Sequence, residues 1–147
     1  MVRDDRGSTL PLAIGLITIC LLAVAVVTDV TAIYLQRRNL MAVADAMALA
    51  GAQAIDMDTY YAQGATMGTR LDSGRVVAAA STHLASTQAQ STIPGLTVEQ
   101  IATDGQVVRI VLRAPLRLTF FNGLVQNSPD AVVRVESLAR LDYRPSA

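Results

Sequence analysis

Between Gly7 and Thr28 the chain carries no acidic or basic side chain, and its centre reads LPLAIGLITICLLAVAVV. At about 1.5 Å of rise per residue, a helix of this length spans about 33 Å, enough for a hydrocarbon layer of about 30 Å. Inside lipid each backbone N–H and C=O must be satisfied within the segment, so a lone span has to be helical. Leu10, Leu12, Ile14, Leu16, Ile17, Leu21, Leu22, Val26 and Val27 are its membrane-spanning side chains. The helical pattern runs on past Asp29 as VTAIYLQRRNLMAVADAMALAGAQAID, with no Pro, and with no Gly before Gly51. One helix of about 45 residues, half in lipid and half outside it, is the expectation.

The beginning of the chain admits a second reading. A short charged start, an apolar core and Ala23-Val24-Ala25 also fit a secretory signal cut near Ala25, which would release a soluble domain. The unbroken apolar pattern beyond Ala25 favours the anchor. Arg3 and Arg6 flank one end of the span and Arg37 and Arg38 the other, so the positive-inside count is close to balanced. A tail of this kind resembles a signal-anchor start, with the short N-terminus inside and the rest of the chain extracytoplasmic.

The chain divides into a tail or leader at 1–7, the helix and its continuation at 8–56, a linker at 57–74 and a small α+β domain at 75–147. Ser8 or Thr9 can cap the long helix, and Pro11 suits its first turn. Asp29 ends the charge-free run and belongs near the interface, either as a solvated carboxylate or as a buried functional one. In the outer half, Ile33, Leu40, Met47 and Gly51, with Tyr34, Ala44 and Ala48 beside them, form one face. Arg38 and Asp45 fall on another. No base stands three or four positions from Asp45, so its partner is distant in the fold, on another subunit, or water. The Ala-rich stretch through Ala48 and Gly51 permits close approach of another backbone.

After the linker, a second helix is expected from Gly74 to Gln90, with Val76, Val77, Ala80, Leu84 and His83 toward one side. Leu96–Thr103 and Gln106–Arg113 flank Asp104-Gly105, a two-residue hairpin signal. A further strand runs over Ala131–Leu141, with Val133, Val135 and Leu141 on one face and Arg134, Glu136 and Arg140 on the other. The intervening Phe120 and Phe121, the chain's only phenylalanines, either fill the small core or touch a membrane or partner; the core is the favoured place. The fold class is α+β: a long transmembrane helix, a second helix, and an antiparallel sheet of three or four strands covered by the helices.

Chemistry is sparse. Basic and acidic residues balance at 12 each, which gives no electrostatic footprint for nucleic acid. There is no nucleophile elbow, phosphate-cradling glycine loop, HExxH or Cys/His cluster, so no catalytic residue, metal or cofactor is expected. The single cysteine, Cys20, cannot form an intrachain disulfide and reads as a small buried apolar residue. His83, alone, reads as a surface or boundary residue. No small-molecule substrate is expected, and function has to lie in anchoring and assembly.

Arg6-Gly7 before the apolar helix is followed in order by Asp29, Tyr34-Leu35, Arg37-Arg38, Leu40, Ala44-Asp45-Ala46 and Ala48-Leu49-Ala50. Over about residues 6–55 this pattern resembles the TadE/TadG-like pilus-assembly family of the bacterial Tad (tight adherence, Flp) system. The resemblance implies a single-pass protein of the cytoplasmic (inner) membrane with a pilin-like fold. It would act as a minor pilin-like (pseudopilin) component or assembly factor, serving cell-surface pili or a related secretion system. Its partners would be other pilus subunits and the membrane assembly platform, reached through Asp29, Tyr34, Arg37, Arg38, Asp45, Ala48 and Gly51. Prepilin processing would map to Gly7, leaving Ser8 as the new terminus. Processed pilins usually carry Glu at the fifth mature position. Here Leu12 stands there, after Pro11, which leans the reading toward unprocessed members that stay in the membrane. A membrane-bound binding module unrelated to pili is the remaining alternative.

Overall fold

In the computed structural model the described residues are 9–54, 70–125, 128 and 131–140. Helix α1 covers Thr9–Ala52 without a break, 44 residues. Its first half stands clear of the rest of the protein: from Leu10 to Val27 every large aliphatic side chain is more than half exposed. Among the described residues one helix is thus long and apolar enough to cross a membrane. Thr18 and Thr28 fit this surface because each hydroxyl donates back to the carbonyl four residues earlier, at 2.8 Å. Cys20 is also exposed here, on the surface of the span rather than in a protein core.

The outer half of α1 is built into the water-facing domain. Helix α2, Ser73–Ser86, starts where the Asp72 carboxylate accepts the Arg75 N–H at 2.7 Å. The expected helix to Gln90 is in fact two. Ser86 and Thr87 hydroxyls both donate to the His83 carbonyl, at 2.9 Å, and Gln88 turns left-handed with φ 49 before the short helix α3, Ala89–Thr92. Side-chain hydroxyls competing for the last turn's carbonyls end the helix where no glycine marks the break. Val77, assigned to the packed face, is 45% exposed, while Val76, Ala80 and Leu84 are buried.

Strands β1 (Thr97–Thr103), β2 (Val107–Pro115) and β3 (Val132–Arg140) form an antiparallel sheet in the order β1-β2-β3. The β1–β2 register shifts between Val98 and Gln100, leaving Glu99 as an inserted residue. The hairpin closes one residue later than the sequence suggests. Asp104 N–H reaches the Val107 carbonyl at 3.4 Å, so Gly105 and Gln106 are the central pair, and Gly105 takes φ +93. Asp104 is a corner instead: its Oδ1 accepts Gln106 N–H at 2.9 Å and Val107 N–H at 2.8 Å.

One face of the sheet is the core. Val108, Ile110, Leu112, Ala114, Val133 and Val135 pack against Leu40, Ala44, Met47 and Ala48 of α1 and Val76, Ala80 and Leu84 of α2. Gly51 sits at a close crossing, where a Cβ would lie 3.2 Å from methyls of both Val76 and Val108. At the other end of β2, Gly95, with φ +82, meets the Pro115 ring, 2.8 Å from where a Cβ would be. The opposite face is polar and carries Arg109–Glu136 (3.1 Å), Arg134–Glu99 (2.7 Å) and Arg113–Glu99 (3.8 Å) ion pairs. Val111 is buried beneath this lattice at 3% exposure. Leu141 lies outside the described residues. The whole is α+β: one long apolar helix, further helices and a small three-stranded antiparallel sheet.

Candidate functional site

The segment from Pro115 to Phe121, which leaves the end of β2, is held along α1 by two polar side chains. Gln36 acts as an extra peptide unit. Its Nε2 donates to the Pro115 carbonyl at 2.6 Å, and its Oε1 accepts the Arg117 N–H at 3.2 Å. Seven residues nearer the N-terminus, about 10 Å down the helix, Asp29 takes three consecutive backbone amides. Thr119 and Phe120 N–H donate to Oδ1 at 2.7 and 3.0 Å, and Phe121 N–H donates to Oδ2 at 2.9 Å.

This explains how a carboxylate tolerates 4% exposure at the end of an apolar helix. Removing an unpaired carboxylate from water is very costly, but consecutive amides aimed at it replace its hydration. Asp29 is therefore a clasp within the fold, not a solvated interfacial residue. At about 100° per residue, Asp29, Ile33, Gln36, Leu40, Ala44, Met47 and Gly51 fall within an arc of about 80° on α1. Two polar side chains that bind backbone and a run of apolar ones that fill the core thus share one stripe.

Tyr34 lies outside that arc and is 67% exposed, so its assignment to the packed face is corrected. It lines an open groove on the other side of α1 with Arg37, Arg38, Met41, Ala42 and Asp45. Asp45 finds its partner within the chain: the buried Ser137 hydroxyl on β3 donates to its Oδ1 at 2.6 Å. Ala48 and Gly51 are buried against the domain and do not offer a free surface. Gly7 and Ser8 lie outside the described residues. The spanning residues, Leu10 to Val27, face outward all round the helix.

The phenylalanines are not core residues. Phe120 is 60% exposed and Phe121 half-buried, and neither joins the buried cluster. Their backbone is committed to Asp29, which turns the Phe120 ring outward. Gln36, Ser137 and the amides of 119–121 were not anticipated from sequence. The available signal was the seven-residue spacing of Asp29 and Gln36 within an otherwise apolar stripe.

Compared with known proteins, residues 7–54 match the family described as "Putative Flp pilus-assembly TadE/G-like". No curated protein and no solved structure gives a significant match. The matched segment contains all of α1, including both the apolar run and the stripe that clasps the domain. Through residues 7–54, about a third of its length, the chain is similar to the TadE/G-like family of Flp pilus assembly.

Proposed function

We propose that this chain is a non-enzymatic, membrane-anchored component of an Flp pilus system, either a minor pilin-like subunit or an assembly factor, with its α+β domain outside the cytoplasmic membrane. The observation that carries the reading is that the family match falls on α1, the element that joins lipid to domain. A rigid rod of this kind positions a folded head at a set height above the bilayer, as a subunit that meets others in the membrane requires.

The groove lined by Tyr34, Arg37, Arg38, Met41, Ala42 and Asp45 supplies the side on which another subunit's helix would pack. Its mix of two guanidinium groups, a carboxylate, an aromatic ring and small apolar residues suits a helical partner better than a small molecule.

Deletion of the gene tests the proposal. Loss of surface Flp pili, restored by the wild-type chain, is the expected result, and undiminished piliation would contradict it. Sheared filaments then separate the two forms of the proposal: a minor subunit is recovered in them, whereas an assembly factor stays in the membrane fraction.

A further inference from the structure

We propose a second membrane contact: the Thr119–Phe121 turn docks on the bilayer at the boundary between headgroups and acyl chains, with the Phe120 ring inserted. This rests on the reading of α1 as a membrane anchor. Depth is the argument. Asp29 is the first charged side chain after the apolar run, so it marks the level at which the span leaves hydrocarbon. The amides of Thr119, Phe120 and Phe121 bond directly to its carboxylate, which places the turn at that same level beside the helix.

At that level the turn presents apolar surface that no other element among the described residues covers. Phe120 is 60% exposed, and on the Asp29 side of α1 the next large apolar residues toward the N-terminus, Leu22 and Val26, are 54% and 51% exposed. The neighbouring surface of the span is the part of the molecule already assigned to lipid, so the apolar patch continues it. The polar groups are in the matching order. Exposed Arg117, whose N–H is held by Gln36, lies farther from the span, at the height of headgroup phosphates. An aromatic ring at the interface with a cation just above it is the arrangement that interfacial segments adopt. Two points of attachment, the span and this turn, would fix the tilt and rotation of the domain relative to the membrane.

Because the chain contains no tryptophan, a single Trp reports on one place at a time. Full-length Phe120→Trp, Leu22→Trp and Leu138→Trp are reconstituted in phosphatidylethanolamine/phosphatidylglycerol vesicles doped with lipids brominated high or deep on the acyl chain. Leu22 reports on the span. Leu138, 57% exposed on β3 and paired with Arg109 far along β2 from Pro115, reports on the distal sheet. The expected result for Phe120→Trp is blue-shifted emission, quenched several-fold more by shallow bromines than by deep ones, with Leu138→Trp unquenched by either. Water-like emission of Phe120→Trp that is quenched by acrylamide but not by bromolipid, while Leu22→Trp is quenched by deep bromines, overturns the docking and leaves the anchor standing. Equal lipid quenching at Leu138 also overturns it, because the whole domain would then lie on the bilayer. An unquenched Leu22→Trp overturns the anchor and the docking together.

Discussion

Asp29 ties α1 to the segment after β2 through three consecutive backbone amides. Replacing it with Asn keeps the shape but leaves only one oxygen and turns an NH₂ group toward an amide that needs an acceptor. Asp29→Asn is expected to weaken the clasp by about 1–3 kcal/mol. Hydrogen exchange in detergent micelles would show it as faster exchange at Thr119, Phe120 and Phe121, with β2 core amides unchanged; equal protection in both proteins would contradict the assignment. Asp104 provides a separate test by pH. The amides of Gln106 and Val107, with a smaller contribution from Arg140, hold its carboxyl below the ordinary value despite some opposing desolvation. A depressed folded-state value means that its contribution is complete above the unfolded value of about 3.9 and is lost as pH falls through the folded one. An NMR titration of Asp104 should therefore show a midpoint below about 3.9, and a midpoint at or above it would be the contrary result.

At the scale of elements, α1 does two jobs with one stripe. Met47 is fully buried between the helices and the sheet. Met47→Ala should cost about 2–5 kcal/mol of domain stability through lost burial and the cavity left behind. Chemical denaturation in micelles, followed by near-UV circular dichroism, would measure it. Much of this level was legible in the sequence because it is periodic. The charge-free run and its continuation gave α1, while alternation in Val108–Arg113 and Val133–Glu136 gave β2 and β3 with the correct inward faces. What the sequence did not disclose depends on contacts without a period. The break at Gln88 arises from local hydroxyl competition with no Gly or Pro to announce it. The clasp joins residues 90 positions or more apart, and its donors are backbone amides that any sequence would supply. Phe120 and Phe121 looked like core residues on hydrophobicity alone; the commitment of their backbone to Asp29 decided otherwise.

For the whole molecule, the central claim is continuity: lipid solvates the first half of one helix while its second half completes a water-facing core. A charge in the middle of the span attacks the first half alone. Leu22→Arg should reduce insertion by about 2.5–3.5 kcal/mol while leaving the domain folded. Glycosylation-reporter insertion assays on the span would read that shift. The family match covers α1 and stops near its end, so the likeness lies in the element that carries this continuity. The most direct measurement is the amino-terminal sequence of the native protein recovered from fractionated cells. The account predicts a carbonate-resistant membrane protein whose sequence begins before the apolar run, at Met1 or Ser8. A soluble protein beginning at Val26 would contradict it.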